Sequence, residues 1–137
     1  MRRTLMIAGG MLVLSSCQVA PGERPLPPPL PEKVTALPYA QLLQRARTQV
    51  SRANDAFYVD NFVELEDSAR GLEQTANYLL KADDVPAKHK DTLATMSADL
   101  GKLSKELAEA AAAKDTKKIN VVMARLQSKV RDMRLGD

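Results

Sequence analysis

The sequence predicts an all-α protein, an up-down-up-down antiparallel four-helix bundle that follows a proline-rich tether. Three observations carry that expectation. From Pro38 onward the chain is rich in Ala, Leu, Lys and Glu, and its only glycines there are Gly71, Gly101 and Gly136; these are good helix formers with few breaks. Apolar residues recur there every three or four positions in four separate runs, and no run keeps the period of two that a half-buried strand needs. The gaps between runs are short, which sets successive helices antiparallel. The competing architecture is a longer helical hairpin that dimerises into a bundle.

The chain begins with the basic Met1-Arg2-Arg3, and residues 5–14 are apolar apart from Gly9 and Gly10. A bilayer-spanning helix needs about 20 apolar residues. This run is shorter and has the length of a signal-peptide hydrophobic region. Leu14-Ser15-Ser16-Cys17 follows it and holds the only cysteine. A lone thiol in an oxidising compartment requires an explanation. Basic start, apolar run, branched apolar residue, two small residues and cysteine, in that order, resemble the bacterial lipoprotein signal. The resemblance implies that residues 1–16 are removed and that Cys17 becomes the first mature residue. Its thiol would carry diacylglycerol and its amino group a further acyl chain such as palmitate. Two or more chains give stable anchoring where one binds only marginally. Gln18, where some members carry Asp, implies sorting to the periplasmic face of the outer membrane.

Residues 17–37 then form the lipidated cysteine and its linker. Seven of the eight prolines fall within residues 21–38, including Pro27-Pro28-Pro29 and Pro31. No helix or central strand tolerates that density. The expected conformation is an extended polyproline II stalk at about 3.1 Å per residue, reaching roughly 50 Å. A proline-motif ligand for a docking domain is the alternative use.

Residues 38–137 are expected to fold as one small domain with one core. Tyr39, Leu43, Ala46, Val50, Ala53 and Phe57 form the first stripe. Phe62, Leu65, Ala69, Leu72, Ala76 and Leu79 form the second. Leu93, Met96, Leu100, Leu103, Leu107 and Ala110 form the third, and Ile119, Met123, Leu126, Val130 and Met133 the fourth. Each is one helical face that needs partners to be buried. Pro38 suits a first helical turn. Asn61 with Glu64 resembles a capping box. Asp83-Asp84 before Pro86 is expected to stop the second helix and cap the third, and Asp115 to cap the fourth. Gly136 stands where a carboxy-terminal cap belongs.

Without Arg2 and Arg3, 18 basic side chains face 17 acidic ones, a net charge of +1. That balance does not point to nucleic acid. Acidic residues collect between Asp60 and Asp84, and basic ones on the last helix, at Lys117, Lys118, Arg125, Lys129, Arg131 and Arg134. The two sets either meet inside the bundle, meet across a dimer, or remain solvated faces.

Chemistry-bearing residues are scarce. His89 is the only histidine, and the paired Glu-x-x-His motifs of di-iron bundles are absent. No zinc site of the usual type assembles from one histidine and one acylated cysteine. Ser97 and Ser104 are expected on helical surfaces without a partner base. Counting from the turn near Asp115 puts Met96 and Met133 at one level of an antiparallel pair, where facing thioethers suit Cu(I) or a haem iron. His89 would lie about 12 Å further along its helix at 1.5 Å per residue. Met96, Met133 and His89 are therefore weak metal candidates, and core filling is the competing role for the methionines.

The four-helix pattern and basic last helix are similar to the cytochrome c-prime and soluble four-helix b-type cytochrome group. That group's c-type members carry Cys-x-x-Cys-His near the end of the fourth helix. Here the equivalent stretch reads Val130-Arg131-Asp132-Met133-Arg134, so the resemblance implies the fold and no haem attachment. The expected function is a lipid-anchored extracytoplasmic structural or interaction module, not an enzyme and without a cofactor. Its expected partners are the membrane, through the anchor, and a second copy or another protein. A metal or haem carrier using Met and His ligands is the alternative.

Overall fold

The computed structural model describes residues 26–32 and 36–136. The apolar run and Cys17 lie outside the described residues. Five helical segments follow one another: α1 Tyr39–Tyr58, α2 Phe62–Leu79, a single-turn α3 Ala87–Lys90, α4 Leu93–Ala112 and α5 Thr116–Asp132. No strand occurs among the described residues, and one isolated parallel bridge joins Pro38 to Asp83. The four long helices close a ring, with α2 on α4 the broadest interface, then α1 on α2 and α4 on α5, and α1 on α5 the narrowest. This is the expected antiparallel bundle.

The four apolar stripes form the core. Leu43, Leu72, Leu107 and Leu126 lie at its centre, each at most 1% exposed. Phe57, Phe62, Leu93 and Met96, at stripe ends, are only partly buried against it. The core is wider than the stripes, because Leu42, Gln49, Ala56, Ser68, Thr75 and Ala111 are also buried. Ser97 and Ser104, expected at the surface, are buried as well. Ser97 donates to the Ala76 carbonyl at 2.6 Å and Ser104 to the Leu100 carbonyl at 2.7 Å. A small hydroxyl satisfied by a backbone carbonyl can enter an interior at little cost.

The helix ends follow local chemistry with two corrections. Asn61 Oδ1 accepts from the Glu64 N–H at 3.2 Å, and Asp115 Oδ1 from the Lys118 N–H at 3.0 Å. Asp83 and Asp84, however, do not cap the third helical segment, whose N-cap is Pro86. Asp84 takes a left-handed φ of 49°, and its Oδ1 accepts from the Tyr39 N–H at 2.9 Å. It thus caps α1, across the bundle. Gly136 lies beyond the end of α5, where Met133 is the C-cap. The expected third helix is broken at Asp91-Thr92, two residues with weak helix propensity, which leaves α3 as a separate turn.

α1 and α4 end in the same way. Asp60 (φ 54°) and Lys114 (φ 53°) are left-handed. The Asp60 N–H donates to Phe57 O and the Asn61 N–H to Ala56 O; Lys114 and Asp115 repeat the pattern onto Ala111 and Ala110. These are Schellman closures, usually built on glycine.

Within the bundle the acidic α2 and the basic α5 share no broad interface. In the ring α2 and α5 are diagonal, and α4 stands between them. It pairs Lys105 with Glu73 at 3.4 Å on one side, and Asp99 with Lys129 at 2.6 Å on the other.

Candidate functional site

The proline-rich segment does not stand away from the bundle as a stalk along its whole length. Residues 26–32 lie as a strap across α1 and α2. The Leu30 N–H donates to Gln74 Oε1 at 2.9 Å, and Gln74 Nε2 donates to the Leu30 carbonyl at 2.9 Å. One side-chain amide therefore satisfies both main-chain groups of one residue. Arg45 donates to the Pro28 carbonyl and the Tyr78 hydroxyl to the Pro31 carbonyl. The Leu30 side chain packs against the edge of the core.

The reason lies in the backbone chemistry of proline. A polyproline segment has carbonyls to offer, few N–H groups and no internal hydrogen bonds. Donors from Arg45, Tyr78 and Gln74 match that inventory, and the one N–H between Pro27 and Pro31, that of Leu30, finds its acceptor in Gln74 Oε1. Burial lowers the pKa of Arg45, and the neighbouring Tyr78 acts in the opposite direction; a guanidinium nonetheless stays charged.

Beneath the strap, α1 and α2 approach closely. The Thr75 hydroxyl lies 2.9 Å from Gln49 Oε1, and Gln49 is 1% exposed. A Cβ at position 71 would stand 2.6 Å from Gln49 Nε2, so Gly71 makes room for that amide. Between the strap and the helices remains a cavity of about 540 Å³, lined by residues 26–29 with Arg45, Gln49, Asp67, Arg70, Gly71 and Gln74. Nearer the α1–α2 turn, buried Arg52 pairs with Glu64, which ties the two helices in register.

The weak metal candidates gather at the opposite end. The Tyr39 hydroxyl donates to the Met133 carbonyl at 2.9 Å. His89 stacks on Tyr39, with ring centroids 5.8 Å apart, and its Nε2 lies 2.8 Å from the Arg134 carbonyl. Lys88 Nζ donates to the Gly136 carbonyl at 2.7 Å. Donors from α1 and α3 thus cover the carbonyls that the end of α5 leaves open. Met133 is buried, while Met96 is partly buried with its sulfur 3.4 Å from the Thr92 hydroxyl. Among the described residues no group of three or more His, Cys, Asp or Glu side chains is placed to hold a metal ion. Burial pushes the Tyr39 phenol up to about 12, against the opposing pull of Arg47.

The strap contacts were not visible in the sequence. Gln74 and Arg45 flank the apolar stripes and look like ordinary solvated positions, and their partners are main-chain atoms with no residue signature. Tyr78, a buried aromatic beside the second stripe, was the one available signal.

No protein-family model, curated protein or solved structure matches the chain.

Proposed function

We propose that this chain is a lipid-anchored lipoprotein of the cell envelope, held through Cys17 on the periplasmic face of the outer membrane. In this reading it is a structural or interaction module that displays a helical bundle and performs no catalysis. The observation that carries the reading is the order of Arg2-Arg3, the apolar run and Leu14-Ser15-Ser16-Cys17. The strap sets the geometry that this reading would have. Eight residues separate Cys17 from Leu26, the first described residue, and they span at most about 29 Å at 3.6 Å per residue. The bundle would be held close to the bilayer rather than on a stalk of roughly 50 Å. No helix among the described residues is long and apolar enough to cross a membrane, so in this reading acyl chains do the holding.

The test is fractionation of parent and Cys17→Ser chains after a high-salt wash. The parent is expected with the membranes in mature form, and the variant unprocessed or released. Mature variant protein that stays with the membranes would overturn the reading.

A further inference from the structure

The end of the bundle formed by the α1–α2 and α4–α5 turns exposes Tyr58 (78%), Val63 (74%) and Val59 (70%), the three most exposed large apolar side chains among the described residues. They add nothing to the core. Tyr58 lies one step round from the first stripe, Val59 is the C-cap of α1, and Val63 is on the outer face of the first turn of α2. Lys114 Nζ lies 5.9 Å from the centroid of the Phe62 ring, which joins the two turns into one surface. Lys117 and Lys118 continue it on the first turn of α5 and are exposed. Of the carboxylates nearby, Asp115 is engaged in its cap, Glu64 pairs with Arg52 and Glu109 lies 3.9 Å from Lys118, while Asp55 is part-exposed and Asp60 exposed. An aromatic ring and branched aliphatics beside lysines form the composition that settles at a lipid–water boundary.

The direction of the strap says what covers this surface. Pro31 is held by Tyr78 and Leu30 by Gln74. Pro28 is held from α1 by Arg45, and residues 26–29 line a cavity whose other walls are Arg45 and Gln49 of α1 and Gln74, Gly71, Arg70 and Asp67 of α2. From Tyr78 at Pro31 to Asp67 at the cavity, the α2 side of the strap's contacts runs toward the end that carries Tyr58, Val59 and Val63. From Asp67 to the start of α2 is about 8 Å at 1.5 Å per residue, and from Asp67 to Leu80, at the opposite end, about 20 Å. An anchor nine residues upstream of Leu26 has the shorter path to the near end.

We propose that this end is a bilayer-contact surface, with Tyr58, Val59 and Val63 entering the headgroup region of the membrane that holds the anchor. The proposal rests on the anchor at Cys17. The chain has no tryptophan, so a single indole reports its own position. Val63→Trp and Leu80→Trp replace exposed apolar residues at opposite ends, and circular dichroism checks that both fold as the parent does. Each is purified from membranes as the full processed chain and reconstituted into phosphatidylcholine–phosphatidylglycerol vesicles with brominated acyl chains.

The expected result is that both variants float with the vesicles, and that only Val63→Trp has blue-shifted emission quenched by bromine. Flotation with the indole at position 63 unquenched, or with both indoles quenched alike, overturns the surface and leaves the anchor standing. The first of those results turns the apolar end toward solvent and a protein partner instead. Failure to float, with a free Cys17 thiol, overturns the anchor and the surface together.

Discussion

Gln74→Ala isolates the strap from the rest of the fold. The substitution removes two hydrogen bonds, both 2.9 Å long, between one amide and the Leu30 main chain. Each is worth about 0.5–1.5 kcal/mol net, so docking should weaken by about 1–3 kcal/mol. With tenfold per 1.4 kcal/mol, the undocked fraction rises roughly 5- to 150-fold. Arg45, Tyr78 and the Leu30 side chain still hold the segment, and the helical core is untouched. Native-state hydrogen exchange reads the two parts separately. The Leu30 amide should exchange faster in the variant by that factor, while the Leu72 amide, deep in α2, keeps its protection. A Leu30 amide that exchanges at the unprotected rate in the parent, or at one rate in both chains, would refute the docked strap. The cavity and the short-tether reasoning would go with it.

Two further substitutions test the bundle itself. Tyr39→Phe leaves the buried Met133 carbonyl without its donor and should cost about 1–3 kcal/mol at neutral pH. The folded parent holds the phenol proton up to about 12, against an ordinary value of 10, so stability present below pH 10 drains away between pH 10 and 12. The gap between parent and variant in urea unfolding should narrow over that window at up to roughly 1.4 kcal/mol per pH unit; a constant gap would contradict the assignment. Lys114→Gly relieves a left-handed residue with φ 53° and should raise stability by about 1 kcal/mol, read as a higher melting temperature; a lower one would mean that the lysine's contact with Phe62 outweighs the backbone strain.

The helices were legible because their signal is local. The stripe Leu65, Ala69, Leu72, Ala76 and Leu79 is buried as its spacing requires, and the caps at Asn61 and Asp115 act within three residues. What escaped was what depends on the tertiary fold. Asp84 finds its donor 45 positions away at Tyr39, and an aspartate before a proline looks the same whichever helix it serves. Ser97 is buried because a carbonyl on α2 awaits it. Met133 was placed on its stripe, yet its carbonyl matters as much as its sulfur, since it accepts from Tyr39. Residues 26–32 of the proline segment are neither helix nor strand, as their prolines require, but their docking depends on side-chain donors aimed at main-chain atoms.

The reading of Cys17 is tested most directly by the intact mass and amino-terminal peptide of the chain extracted from membranes. The expected result is a chain that begins at Cys17, without residues 1–16, and carries diacylglycerol on sulfur with an acyl group on the new amine. A chain that retains residues 1–16, or begins elsewhere with an unmodified Cys17, would contradict the anchor and the short tether argued from it.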